Sequence, residues 1–568
     1  MPSYYVWFLI ASAIPALARS ANPHHQSSVT SIQQPRVRID QGLVVGKIQH
    51  GNYPVPVEAF MGLPYARPPV GDLRFRRAAP LPSSNTTILA QEYGLICPGN
   101  NSGILSGSED CLTVNIFRQK RPRSHKKVPV AVYIPGGAFN RGSSKSHNTS
   151  SMVAWSEKPF IGVSFNYRVG ALGFPSSTLG FDEGILNLGL HDQMFLLQWV
   201  QDNIEAFGGN KNDVTLFGAS AGAHSVGHHL NNFVEGVAPP FHKVIIESGG
   251  STARSTQYYN TSITEEQFSK FLVLVGCAEE PRNSTTSCLR SKPEALIVNA
   301  SNAVFDGYDP SLRWPFQPVI DGDIIQQKPI DQWKSGRWNR MPIVTGHCTN
   351  EGAGFVPATM STPEQFTDFF YTLLPQFSAR YLDAINQLYP DPSTGNSSLY
   401  LDTRNLTAIK VGPQFKRVEA AYAHYAYACP ARQTAHLASS AQEQPIWAYH
   451  WALNKTVKGG AGHVDNIEYE SFQDSVITIS ESQKEVSGIY HSFITNFITT
   501  GNPNGKSTRW RKRPTWKAYD IEKREIMTFG LGNNERAGGN DTGIAAQMRG
   551  SEWITEECNF WWAKTEDS

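Results

Sequence analysis

The sequence predicts an α/β protein built on one large, mostly parallel central sheet flanked by helices. Three observations carry this expectation. Segments rich in Val, Ile and aromatic residues alternate with longer amphipathic segments. Strand, helix and strand follow one another in an order that demands right-handed crossovers between parallel strands. The 568 residues are 40% hydrophobic, enough for an extensive core. Length alone would allow about four domains. After residue 40, however, no repeat, low-complexity tract or separating linker interrupts the pattern, so residues 41–568 read as a single domain.

Each element has its own signal. Val128 to Ile134 (VPVAVYI) reads as a buried strand running into the Gly136-Gly137 turn, and Phe160 to Tyr167 (FIGVSFNY) reads as another. From Leu188 to Phe207, Leu190, Met194, Leu197 and Trp199/Val200 recur at helical spacing before Gly208-Gly209 ends the run. Val214 to Phe217 (VTLF) resumes as a short strand, and Lys243 to Ile246 follows the next helix. The C-terminal half is more helical and is read as broken by proline at Pro375, Pro390 and Pro430.

The N-terminus points to secretion. Val6 to Leu17 has the length of a secretory apolar region, and Ala16-Leu17-Ala18 supplies the small-x-small cleavage pattern. Residues 1–18 are therefore expected to be a signal peptide cleaved near Ala18, followed by a flexible segment over 19–40. No later run approaches the roughly 18 apolar residues of a membrane span. N-x-S/T sequons begin at Asn85, Asn100, Asn148, Asn260, Asn283, Asn299, Asn396, Asn405, Asn454 and Asn540, and each is a candidate glycosylation site. The seven cysteines contain no C-x-x-C pair, so disulfides are the default in an oxidising compartment, and the odd number leaves at least one outside any intrachain pair. With 50 Lys+Arg against 49 Asp+Glu, the net charge of +1 argues against nucleic acid or an anionic membrane as a partner.

Gly218-Ala219-Ser220-Ala221-Gly222 follows the VTLF strand and precedes a helix-like stretch. That context gives G-x-S-x-G its meaning. A serine on a tight strand-to-helix turn needs small neighbours, and the helix that follows points its positive end at the site. A serine hydroxyl is a weak nucleophile near neutral pH, so a base must take its proton and a third group must hold that base. Both partners are expected after the serine, acid first and histidine second. An oxyanion donor is expected earlier, at Tyr133 to Phe139 (YIPGGAF).

The chain resembles the type-B carboxylesterase family, the cholinesterase and fungal lipase group of α/β-hydrolases. The resemblance rests on FMGLPYARPPVGDLRF (60–75), EDCLTVNIF (109–117), NYRVGALGF (166–174), NLGLHDQMFLLQWVQDNIEAFGGN (187–210), VTLFGASAGAHSV (214–226) and PVIDG (318–322). It implies an α/β-hydrolase fold with Ser220 as nucleophile, Glu351 in TGHCTNEGAGF as acid and His463 in GGAGHVDNIEYE as base. Of the sixteen histidines, His224, His228 and His229 are assigned to the nucleophile helix, and Asp465 lies too near His463 in sequence to orient it. The resemblance also implies an oxyanion hole from the backbone N–H groups of Gly137, Ala138 and Ala221. Two departures stand here: Pro135 where a histidine is common, and Ala138 in place of a third glycine. By the same comparison, Cys97 pairs with Cys111, Cys277 with Cys288 and Cys429 with Cys558, leaving Cys348 free. Arg74 with Glu109 and Arg168 with Asp192 are read as buried structural ion pairs.

The implied reaction is hydrolysis of a small-molecule ester through an acyl-enzyme, with no metal or organic cofactor. Residues 98–110 contain no aromatic and Ala219 is uncharged, so neither cation–π nor charge attraction for a choline headgroup is evident. The bridged loop after Cys97, about a dozen residues long, is short for a lipase lid. Uncharged, moderately sized esters are therefore expected, with Trp314 on the acyl side and Phe139 beside the oxyanion strip as substrate-binding candidates. The alternatives are a lipase or acyltransferase using the same triad, and a non-catalytic cholinesterase-like binding protein. The sequence leaves the oligomeric state open.

Overall fold

Strands whose residues are buried on both faces build the centre of the molecule. The computed structural model describes residues 34–100, 107–120, 126–254, 256–394 and 399–567. The expected signal peptide and the sequon at Asn396 lie outside them. In chain order the strands are β1 (Arg36–Ile39), β2 (Gly42–Val45), β3 (Lys47–Gln49), β4 (Val57–Pro64), β5 (Thr87–Leu89), β6 (Thr113–Gln119), β7 (Val128–Ile134), β8 (Ile161–Phe165), β9 (Gly209–Ala219), β10 (Lys243–Glu247), β11 (Ile343–Cys348), β12 (Ile446–Trp451), β13 (Glu525–Leu531) and β14 (Ile544–Gly550). Eleven of them form one sheet in the order β14-β13-β12-β11-β10-β9-β7-β8-β6-β4-β3, and β1-β2-β5 form a small second sheet. Pairing is parallel from β13 through β8 and antiparallel toward both edges. This is the α/β-hydrolase architecture.

The parallel strands β8, β10, β11 and β12 are buried at every position, the signature of a sheet covered on both sides. Along β7 the two faces separate. Val130, Val132 and Ile134 join one hydrophobic cluster, whereas Ala131 and Tyr133 join another. A third cluster around Phe366, Phe370, Tyr422 and Trp561 packs the C-terminal helices together.

Several elements differ from the sequence reading. Residues 36–39, assigned to the flexible N-terminal segment, form β1, because Val37 and Ile39 alternate into the core while β1 pairs with β2. The compact unit begins at Pro35. The helix expected over 188–207 ends at Asn203 and finishes in turns to Phe207. The short VTLF strand extends back to Gly209, since Val128 pairs with Gly209 across a register shift. The strand at Phe160 narrows to Ile161–Phe165, and Lys243–Glu247 gains one residue.

Helices α1 (Leu188–Asn203), α2 (Ala221–Asn231), α3 (Cys429–Ala441) and α4 (Glu481–Thr500) flank the sheet. Helix ends precede Pro375 and Pro390, but Pro430 does not break its segment. A π-helical stretch over His424–Ala428 leads into α3, and Pro430 occupies its first turn, where a missing N–H costs little. Among the described residues, no helix is long and apolar enough to cross a membrane.

Cys97–Cys111, Cys277–Cys288 and Cys429–Cys558 are disulfide-bonded, and Cys348 is free and buried. Arg74 grips Glu109 through two hydrogen bonds at 2.6 and 2.7 Å, and Arg168 grips Asp192 at 2.6 and 2.8 Å; all four residues are buried. Of the sequon asparagines, Asn85, Asn260, Asn283, Asn299, Asn405 and Asn540 are exposed, whereas Asn100, Asn148 and Asn454 are half-buried. Asn100 donates its Nδ2 to Asp306, and Asn454 donates its Nδ2 to Asn534. Asn148 caps the helix Thr149–Trp155.

Candidate active site

The carboxyl ends of the parallel strands collect the functional side chains, the usual location in open α/β sheets. Strand β9 ends at Ala219, and Ser220 follows as the N-cap of α2 with φ 58° and ψ −126°. Such a conformation costs roughly 1–3 kcal/mol for a residue with a side chain. The turn is held by Ser220 N–H donating to Glu247 O at 3.0 Å. The glycines are required by contact: a Cβ on Gly222 would lie 2.0 Å from Ile134 O, and one on Gly218 would lie 2.7 Å from the Gly222 carbonyl carbon. Ser220 is thus presented, half-buried, where β7 and α2 touch.

Three residues after β11, Glu351 is fully buried with both carboxylate oxygens engaged. Oε1 accepts from the backbone N–H of Cys348 at 2.6 Å, and Oε2 accepts from His463 Nδ1 at 2.5 Å. The two loops are stitched together beside this contact. Asn350 N–H donates to Ala461 O at 2.8 Å, and Ala461 N–H donates to Asn350 Oδ1 at 3.1 Å. Asp465 is committed elsewhere, accepting from Gly462 N–H at 2.8 Å and facing Lys455 Nζ at 3.1 Å. Burial pushes the Cys348 thiol well above its ordinary range, which keeps it protonated.

The His463 ring lies between Tyr427 and Phe355, with centroids 4.3 and 5.1 Å away. Its Nε2 is buried and hydrogen-bonds to nothing among the described residues, so the structure joins Glu351 to His463 and leaves the contact to Ser220 unclosed. Catalytic hydrogen bonds are often long without substrate and tighten when it binds. His224 lies one turn after Ser220 on α2. Burial first, then His228 and Arg254, push the His224 imidazole down to about 3 and keep it neutral.

Beyond β7, the chain runs through Gly137, Ala138 and Phe139 with φ of 123°, 54° and 59°. These values turn the strip across the start of α2. The Ala138 carbonyl is fixed by Asn140 Nδ2 and Gln317 Nε2, both at 2.9 Å, which sets the orientation of the adjoining amides. Ala221 is the first residue of α2, so its N–H has no acceptor within the helix. A cavity of about 470 Å³ opens beside the strip, lined by Phe139, His224, Arg254, Trp314 and Phe316 among others. Both substrate-binding candidates, Phe139 and Trp314, are therefore on its wall.

Sequence reasoning missed Asn350, Asn140, Gln317 and Arg254. Asn350 and Asn140 had a readable signal, being next to residues already chosen, whereas Gln317 had none. Arg254 follows the carboxyl end of β10, and that placement could have flagged it had β10 been ranked with the other site-bearing strands. Chemically, the arrangement offers a strained hydroxyl, a carboxylate-held imidazole and a strip of backbone amides next to an enclosed space. Such a set suits acyl transfer.

Comparison with known proteins places this geometry. The sequence matches the Carboxylesterase family over residues 33–561. It is 35% identical over 474 residues to secreted lipase 4 of Gibberella zeae, covering 82% of this chain and 83% of that protein. It is 33% identical over 449 residues to lipase 1 of Geotrichum candidum, covering 71% and 77%. The crystal structure of Aspergillus niger EstA superposes with a TM-score of 0.79 at 28% identity, over 94% of this chain and 98% of that one. On the sheet order, the extent of the match and these relatives, the chain belongs to the carboxylesterase family and is a carboxylic ester hydrolase.

Proposed function

We propose that the chain hydrolyses moderately sized carboxylic esters through an acyl-enzyme on Ser220. The Ser220 hydroxyl attacks the ester carbonyl while His463 Nε2 accepts its proton. The N–H groups of Gly137, Ala138 and Ala221 stabilise the tetrahedral oxyanion, and His463 then protonates the departing alcohol. Water, activated by the same imidazole, attacks the acyl-enzyme and releases the acid. Glu351 holds the imidazole tautomer and stabilises its charged form.

The observation that carries this reading is the Glu351–His463 hydrogen bond of 2.5 Å, reached across 112 residues of sequence, in a chain whose Ser220 stands strained on the glycine-flanked turn. The three disulfides and a relative named as secreted support export through the signal peptide at residues 1–18. Turnover of p-nitrophenyl acetate by the wild type and Ser220→Ala tests the assignment. Equal, background-level rates would favour a non-catalytic binding protein.

A second reading, hydrolysis of long-chain lipid esters, is favoured by the relatives named as lipases. A series of esters with increasing acyl length separates the two. A rate maximum at short or medium chains supports the first, and a maximum at long, emulsified chains supports the second.

A further inference from the structure

Arg254 brings a positive charge into the cavity wall without a carboxylate to balance it. It lies seven residues beyond the end of β10, with φ at 59°, a left-handed conformation in which a side-chain-bearing residue is held at a cost. Its guanidinium lies over the Trp314 ring with the central carbon 3.8 Å from the centroid, and Nη2 donates to Leu312 O at 2.5 Å. Nη1 is buried and donates to no oxygen at close range among the described residues, although the hydroxyls of Tyr427 and Tyr422 also interact with the guanidinium. Trp314 is itself anchored, its Nε1 donating to Asp309 Oδ1 at 2.6 Å. Asp309 forms no ion pair with Arg254 among the described residues.

Other buried arginines show what a structural role looks like. Arg74 and Arg168 are each paired with a carboxylate. Arg417 lacks one, yet Nε, Nη1 and Nη2 each donate to an oxygen, at 2.6, 3.1 and 2.8 Å. Arg254 matches neither pattern; Arg432, buried with an unpaired Nε and no carboxylate, is a second exception, but only Arg254 of the two lines the cavity. The guanidinium stays a cation, as arginine does throughout the physiological range, and the neutral phenols of Tyr422 and Tyr427 around it carry no balancing charge. The neighbouring imidazoles of His224 and His228 are driven down to about 3 by burial and add no charge.

The cavity meets the candidate site through two residues. Phe139 directly follows Ala138, and His224 lies one helical turn after Ser220; both line the cavity with Arg254, whereas Ser220, His463 and the amides of Gly137, Ala138 and Ala221 do not. An ester held at Ser220 must therefore extend past Phe139 and His224 to meet the guanidinium.

We infer that the cavity selects esters carrying a free carboxylate, such as half-esters of dicarboxylic acids, with Arg254 supplying the counter-charge. This rests on the esterase reading above and departs from the sequence expectation of uncharged substrates. A guanidinium matches a carboxylate with parallel N–H donors, and the stack on Trp314 holds its plane in place before substrate arrives. An uncharged ester would leave the buried cation unpaired, which is the costly state.

The test compares kcat/KM for monoethyl adipate with that for its neutral isostere, in which an isopropyl group replaces the carboxylate. A second pair carries the carboxylate on the alcohol side. Wild type, Arg254→Met and Arg254→Lys are assayed, and the readout is the ratio of anionic to neutral substrate, which cancels any general loss of activity. The expected result is a preference for the anion in one pair, lowered about 10- to 100-fold in Arg254→Met and lowered less in Arg254→Lys, which keeps the charge but not the planar fork. An equal ratio in wild type and Arg254→Met, or no anionic preference in either pair, overturns the inference.

Should Arg254→Met fail to fold, inhibition of wild-type p-nitrophenyl acetate turnover by adipate and by hexanediol decides the matter. Stronger competitive inhibition by the dianion supports the assignment, and equal inhibition overturns it. Loss of p-nitrophenyl acetate turnover to the Ser220→Ala background would instead sink the esterase reading. The two failures are therefore distinguishable.

Discussion

Glu351 holds His463 with one carboxylate oxygen and is itself held by the Cys348 amide through the other, at 2.5 and 2.6 Å. The carboxylate is therefore fixed before it orients the imidazole. Glu351→Gln presents an amide that can hold Nδ1 only in the wrong hydrogen-bonding sense. Turnover should fall about 10²–10⁴-fold with little change in KM. Steady-state kinetics on p-nitrophenyl esters measure it, and wild-type kcat in the variant would move the acid to another residue.

Gly222 tests the turn rather than the chemistry. An added methyl would meet Ile134 O at 2.0 Å, so α2 must move away from β7 and carry Ser220 with it. Gly222→Ala should lose about 10²-fold or more in kcat and about 1–3 kcal/mol in stability. Kinetics and urea unfolding on one preparation report both effects. A fully active Gly222→Ala protein would show that the turn tolerates displacement.

Arg168 and Asp192 pack against each other with side chains 3% and 0% exposed. Asp192→Asn leaves the Arg168 cation buried without its counter-charge, and the expected loss is about 3–5 kcal/mol. The double change Arg168→Met with Asp192→Leu should destabilise less than Asp192→Asn alone. Denaturant midpoints of the three proteins settle the order.

Glu157 makes stability depend on acid. Burial raises its pKa, but hydrogen bonds from Thr508, Ser507 and Arg509, at 2.6 to 3.0 Å, outweigh it and hold the carboxyl down to about 2. A folded value below the ordinary 4.5 means the stabilisation is present above pH 4.5 and disappears as pH falls toward 2. The group is half-exposed to solvent, so the effect is discounted to about 1 kcal/mol or less. Unfolding midpoints of wild type and Glu157→Gln should converge between pH 4.5 and 2 and differ most above it. A constant difference across that range would contradict the assignment.

Much of the fold was legible because burial writes itself into composition. The run VPVAVYI became β7 at the same residues, since a strand covered on both faces must be apolar throughout. Pro430 misled because proline's cost depends on its place in a turn, and a preceding π-helical stretch is not visible in residue order. The start of β9 was hidden for a similar reason. Asn210 to Asp213 are polar and fall in the register shift between the Val128–Gly209 and Val130–Val214 pairs, an irregularity that residue order does not reveal.

By itself, the sequence determined that a serine would stand on a glycine-flanked strand-to-helix turn, because only residues without side chains fit between Ile134 and α2. Through resemblance to a family it also put forward Glu351 and His463, which the structure brings into contact. What only the tertiary structure decided is which distant groups meet: Asn350 tying the acid loop to the histidine loop, Gln317 bracing Ala138, and Arg254 laid against Trp314 in the cavity wall. Hydrogen bonds and charges act over a few ångströms of space, and residues far apart in the chain come within that range only when the sheet has closed around them.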